Sequence, residues 1–296
     1  MSIEIIERLQ VGIASSKELQ VITGMSQKTV SNRLRAMGAQ IVTLGSGRNT
    51  RYALRRNAFE SGDNFPLYAI DPHGNAVTAA VIYPLAHGGY YVEKTAATPR
   101  ILLGLSGDGL YDDLPFFLED LRPQGFLGRQ LAHRLAATTG FPQDPRDWST
   151  EQVGSYLVAS GDDLPGNFKL GRQSLFREPK PLEITRREEY PKYADSVIEG
   201  IKVGSSAGGE QAKFAIFNEE HQHVIVKFSP PGDDPTARRW RDILLTEHHA
   251  ETVLHKTHPH AFSAVNTELY EIGDRLFLES VRFDRHGDLG RMPMIS

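Results

Sequence analysis

A chain of 296 residues, 40% hydrophobic and 24% charged, is long enough for roughly two domains with cores of their own and has an ordinary soluble composition. The lack of cysteine excludes a disulfide framework and a thiolate metal site, and it fits a cytoplasmic protein. No apolar run nears the roughly 18 residues needed to span a bilayer, and Met1–Glu7 reads as an amphipathic start, not a signal peptide. The net charge of -4 hides an asymmetry. Residues 1–57 hold nine Lys/Arg against three Asp/Glu, a net +6, and the remainder holds 24 against 34, a net -10. A basic head on an acidic body points to a polyanion at one end.

Ile3, Ile5, Ile6 and Leu9 mark a short first helix. Ser15-Ser16-Lys17-Glu18 has capping-box spacing and opens a second helix. After the turn Thr23-Gly24-Met25, Ser26 caps a third helix, Gln27 to Met37, closed by Gly38. Val30, Leu34 and Met37 fall on one face of it. The opposite face presents Gln27, Lys28, Thr29, Ser31, Asn32, Arg33 and Arg35, side chains able to read base edges or hold phosphates. Two short strands follow around Gly45-Ser46-Gly47, with Arg48 and Arg51 on or beside the turn. A helix-turn-helix followed by a basic hairpin resembles the winged helix-turn-helix domains of bacterial regulators, here over residues 1–58. The plainer alternative is a small helical domain with a solvated charged face.

Beyond a polar linker at 60–64, a second unit is expected over 64–165. Residues 66–70, 76–82 and 90–93 read as antiparallel strands joined by Asp71-Pro72-His73-Gly74 and His87-Gly88-Gly89. Residues 114–128 are unusually aromatic and lead into a helix through Ala136, which reads as core packing with a glycine-closed turn. Another helix is expected from Trp148 to Ala159. Residues 161–167 read as a loop, and 176–195 as a solvated connector or helix.

The third unit, 166–296, is organised around Gly204-Ser205-Ser206-Ala207-Gly208-Gly209-Glu210-Gln211-Ala212-Lys213, followed by the strand Val224-Ile225-Val226-Lys227-Phe228. Small residues crowd where backbone N–H groups must approach a ligand, and a nest of such groups suits phosphate. Lys227 could reach the same phosphates as a point charge. Composition alone is equally at home in a surface hairpin. A helix from about Ala237 to His255 follows, carrying Glu247. His248, His249, His255, His258 and His260 cluster near its end without a completing carboxylate, so no metal ligands are assigned. A final hairpin runs through Glu279 into Arg282-Phe283-Asp284-Arg285.

These pieces together resemble the HipA-type serine/threonine kinase toxins, most closely the YjjJ-like (HipH) branch, in which a helix-turn-helix precedes the kinase. The matching segments are the head, Asp120-Leu121-Arg122-Pro123-Gln124-Gly125-Phe126-Leu127-Gly128, Gly204 through Lys213, the Lys227 strand, Glu247 and Arg282-Phe283-Asp284-Arg285, in the family's order. The resemblance implies an α+β fold, with a winged helix-turn-helix before a kinase nucleotide lobe, and a toxin of a type II toxin–antitoxin system. It implies ATP and Mg2+ as ligands and phosphoryl transfer to a protein Ser or Thr. Expected partners are duplex DNA, a protein substrate (aminoacyl-tRNA synthetases in the founding branch), an antitoxin or a complementary kinase lobe, and a second copy of the chain. Nucleotide contacts are expected from Ser205, Ser206, Ala207, Gly208, Gly209, Lys227, Glu247, Glu279 and Phe283, with Glu247 setting Lys227 and the Glu279–Phe283 segment beside the adenine. Ser205 or Ser206 matches the family's self-inhibiting phosphosite.

In the family the catalytic and Mg-binding carboxylates follow the Arg-Phe-Asp-Arg segment, in a second lobe. This sequence stops 11 residues past Arg285, and His286-Gly287-Asp288 reads as a turn. No catalytic or metal residue is therefore expected within it, and the chain is expected to be inactive alone. The alternative is a winged-helix transcriptional regulator, antitoxin-like or autorepressing, with a non-catalytic kinase-like lobe.

Overall fold

A computed structural model describes residues 3–177, 182–199, 209–257 and 265–294. The head begins with α1 (Ile3–Gln10), β1 (Ala14–Ser15), α2 (Ser16–Thr23) and α3 (Gln27–Met37), and closes with β2 (Ile41–Leu44) and β3 (Arg51–Leu54) in a sheet of order β1-β3-β2. The local signals act as their chemistry dictates. The Ser15 hydroxyl accepts the Glu18 N–H at 3.2 Å while the Glu18 carboxylate accepts the Ser15 N–H at 2.6 Å, which satisfies two of the donors a helix start leaves open. Ser26 caps α3 through the Thr29 N–H, and Gly38 ends it at φ +52. Ile5, Leu9, Leu19, Val30, Leu34 and Met37 form the core.

The middle unit is a sheet of order β7-β6-β5-β4-β8 covered by helices. Its elements are β4 (Phe65–Ile70), β5 (Ala76–Pro84), β6 (Tyr90–Lys94), β7 (Leu110–Tyr111), α4 (Phe116–Glu119), α5 (Gly125–Thr139), α6 (Thr150–Ser160), β8 (Phe168–Leu170) and α7 (Gly171–Phe176). The aromatic stretch splits into α4 and α5 around Pro123, whose ring cannot continue a helix. β8 pairs with β4 through Leu67, Tyr68 and Ala69, so this sheet extends past the boundary expected at 165. The head is seated on it: Val42, Leu44 and Ala53 share a buried cluster with Leu85 and Tyr91, and the Arg56 N–H bonds the Pro84 carbonyl at 3.0 Å.

The last unit contains α8 (Tyr190–Ile198), β9 (Lys213–Phe217), β10 (His223–Phe228), α9 (Pro235–Thr257), β11 (Thr267–Ile272), β12 (Arg275–Val281), and a small ladder of β13 (Arg285–His286) and β14 (Gly290–Arg291). Its antiparallel sheet has the order β11-β12-β10-β9. α8 buries Tyr190, Ala194 and Val197 against Phe214, Val224, Val226, Phe228 and Phe277 on one face. The expected solvated connector therefore contributes a core helix. α9 covers the other face through Leu244 with Leu276 and Leu278. Among the described residues no helix is long and apolar enough to cross a membrane.

Candidate functional site

Residues directly opposite in an antiparallel ladder share a face. Lys227 on the inner strand β10 lies opposite Lys213 of β9 and Leu278 of β12, which puts both lysines on the α9 side of the sheet. Leu244 docks α9 against Leu276 and Leu278, and Glu247, three residues on and one turn away, meets the Lys227 ammonium in an ion pair. Both partners are about one-quarter exposed, so the pair is reachable from solvent. Lys213 is buried, and its ammonium donates to the Gly209 carbonyl at 3.1 Å. Burial, and then the neighbouring Lys227, pull its pKa down from 10.5 to about 8. Two cations facing each other across one ladder rung, beside the end of a glycine-serine stretch, are chemically suited to a polyphosphate. Ser205, Ser206, Ala207 and Gly208 lie outside the described residues.

Gly209 is also gripped from the middle unit. The Phe126 N–H at the start of α5 donates to the same Gly209 carbonyl at 2.9 Å. Gly125 adopts φ +62, and a Cβ there would stand 2.3 Å from that oxygen. Arg129, one turn along α5, pairs with Glu210 at 2.5 Å. Nothing in the spacing of 120–128 points to this contact, because it joins segments more than eighty residues apart. The signal available is the Pro-Gln-Gly before a helix.

Glu279 departs from expectation. It lies opposite Val226, so its side chain occupies the α8 face, across the sheet from Lys227. There its buried carboxylate accepts from Asn218 Nδ2 at 2.9 Å, from an Arg187 guanidinium nitrogen at 3.4 Å and from the Tyr190 hydroxyl. Burial, and then this bond to Glu279, push the Tyr190 hydroxyl well above its ordinary pKa. The Glu279 carboxylate is thus a core acceptor, and it does not join Lys227 and Glu247. Phe283 is 61% exposed in the turn after β12.

The flanking residues of that turn form a lock. The Asp284 carboxylate accepts from Arg282 Nε and a terminal guanidinium nitrogen, both at 2.9 Å, from Arg285 at 2.8 Å, and from the Gly166 N–H at 2.9 Å. Arg285 also donates to Asp163 at 2.6 Å and to the Leu164 carbonyl at 2.8 Å. Burial alone would raise the Asp284 pKa, but the two guanidinium groups prevail and hold it at about 2. This cluster ties β12 to the loop before β8.

On the head, Gln27, Lys28, Thr29, Asn32, Arg33 and Arg35 of α3 are exposed and Ser31 is half-buried, while Val30, Leu34 and Met37 face inward. Arg48 is exposed in the turn between β2 and β3. Arg51 is placed differently, 3.6 Å from Asp108 of the middle unit. Among the described residues no group of three His, Asp or Glu side chains is arranged to hold a metal ion. His248 Nδ1 bonds the Thr267 hydroxyl at 2.9 Å, and His258 and His260 lie outside the described residues.

Residues 61–178 match the model of the YjjJ-like toxin middle domain. The chain is 34% identical, over 303 aligned positions, to Toxin YjjJ of Escherichia coli (strain K12). That alignment covers 99% of this chain and 66% of the relative, so the chain spans just under two thirds of its relative's length. Along nearly all of its residues, with a matching middle domain between the head and the two-lysine sheet, the chain is similar to a YjjJ-like toxin.

Proposed function

We propose that the chain is the DNA-binding head and nucleotide-holding lobe of a HipA-like serine/threonine kinase toxin. The observation that carries the reading is the Lys227–Glu247 ion pair, set directly opposite Lys213 at the end of the glycine-serine stretch. In a kinase lobe a helix glutamate holds the strand lysine in place for the nucleotide phosphates. Here Glu247 does that holding, Lys227 presents its ammonium, and Lys213 adds a second charge whose burial makes an incoming anion favourable. These residues fit a triphosphate. ATP supplies the phosphoryl group, and Mg2+ would arrive with it, held by phosphate oxygens and by carboxylates that we assign to a second lobe. Transfer moves the γ-phosphoryl from ATP to a protein hydroxyl, releasing ADP and the hydroxyl proton. A phosphate on Ser205 or Ser206 would add about -1.5 to -2 charge where the nucleotide's phosphates belong and would oppose its binding.

The head's order of helices and strands, with the polar face of α3 turned to solvent, supports a winged helix-turn-helix that docks α3 on duplex DNA. The same face keeps the second reading in view, a regulator whose lobe binds nucleotide without transferring it. The test is equilibrium ATP binding. Lys227→Ala should weaken it by about tenfold or more, the loss of one charge-assisted contact, with the melting temperature within a few degrees of the parent. Affinity unchanged by that substitution refutes the nucleotide site. Phosphorylation of a protein serine by a longer form of the chain separates the kinase from the regulator.

A further inference from the structure

The Gly209 carbonyl is a junction. It accepts the Phe126 N–H from α5 at 2.9 Å and the Lys213 ammonium at 3.1 Å, so one oxygen links the middle unit to the buried cation of the lobe. Three features hold the junction from the α5 side. Gly125 takes φ +62, which a side chain rarely adopts, and leaves the space that Gly209 fills. The Phe126 N–H, with no partner inside its own helix because it lies in the first turn, spends its bond on Gly209. Arg129 then holds the next residue, Glu210, at 2.5 Å. From the other side, a Cβ on Gly209 would stand 2.9 Å from Lys213 Nζ, so the ammonium packs close against this glycine as well as bonding its carbonyl.

We infer that Gly125–Arg129 of the middle unit is a positioning clamp for the nucleotide site: it fixes the Gly209-Glu210 peptide and, through that carbonyl, the ammonium of Lys213. The clamp touches no nucleotide, and it rests on the reading of the two-lysine face as a phosphate site. It makes the middle unit a working part of the lobe. Arg129 and Gly125 are positioning residues, so their loss acts on affinity through Lys213.

The experiment is equilibrium titration of the full chain with a fluorescent ATP analogue, alongside thermal melting. Arg129→Glu or Glu210→Arg alone should weaken binding about fivefold, within what one exposed ion pair can contribute, and the double exchange Arg129→Glu with Glu210→Arg should restore it to about twofold of the parent. Gly125→Ala should weaken binding by more than about tenfold. Restoration by the double exchange, with the single exchanges melting within a few degrees of the parent, is the deciding readout, since a pair that only stabilised the fold would move the melting temperature along with the affinity. If Lys227→Ala weakens binding by about tenfold or more while the single exchanges bind like the parent, the clamp is wrong and the site stands. If the double exchange stays as weak as the single ones, the clamp is also wrong. Binding indifferent to Lys227→Ala removes the site and the clamp together.

Discussion

Asp284→Asn offers the sharpest structural test, because the magnitude follows from the geometry. The wild-type carboxylate takes four donors, three from Arg282 and Arg285 and one from Gly166, and its pKa sits at about 2 against an ordinary 3.8. At about 1.4 kcal/mol per unit, the ionised form favours the folded state by about 2 kcal/mol at neutral pH. The amide removes that and leaves Arg282 and Arg285 with their ion pairs to Asp163, beside the buried Arg291, which is already pulled down to about 10 by burial and then by Arg285. Breaking a buried pair from one side costs about 3–5 kcal/mol, so the expected loss is about 2–4 kcal/mol. The sign with pH is fixed. A depressed carboxyl pKa gives stability that is fully present above about 4 and is lost as pH falls through about 2, so the gap between variant and parent should close over that window. Urea unfolding reads it out twice, because Trp148 sits in the middle unit and Trp240 on α9. A variant within about 0.5 kcal/mol of the parent at pH 7, with an unchanged denaturant slope, would refute the lock.

Lys213 should make nucleotide affinity pH-dependent. A bound phosphate stabilises the charged ammonium, so one proton is taken up on binding above pH about 8, affinity falls as pH rises through that point, and Lys213→Arg removes the effect. Binding titrations from pH 7 to 10 check this, and a flat profile for the parent contradicts it. On duplex DNA, Arg48→Ala should lower the slope of log affinity against log salt by about 0.9, as expected for one phosphate contact. Arg51→Ala should lower it less, because Asp108 already partly neutralises that side chain. Gly154→Ala would place a Cβ 2.0 Å from the Phe59 ring, itself packed against Phe65 and Tyr90, and should cost about 1–3 kcal/mol in chemical denaturation.

Much of the molecule is legible in local chemistry. Ser15 with Glu18, Ser26 and Gly38 announce the head's helices because caps act within four residues of themselves. Lys227 and Glu247 can be paired from sequence only through the kinase resemblance, since the distance between them is closed by α9 folding back over β10. What stays hidden depends on register and on distant neighbours. Glu279 reads as a site residue until the ladder places it opposite Val226, one residue from the face that carries Leu278 and Lys227. Tyr190 sits in a charged, proline-marked stretch that looks solvated, yet its ring completes the core beneath Phe214 and Phe277 and its hydroxyl caps Glu279. Gly125 looks like one more turn glycine, and its meaning comes from Gly209 standing where its side chain would be.

The proposed nucleotide site requires that the lysine face of the sheet receive a nucleotide's phosphates. A crystal structure of the chain with a non-hydrolysable ATP analogue tests it most directly. Phosphate oxygens are expected within about 2.7–3.2 Å of the ammonium groups of Lys213 and Lys227, with Glu247 still paired to Lys227. A nucleotide bound elsewhere, with both ammonium groups more than about 6 Å from any phosphate, would contradict it.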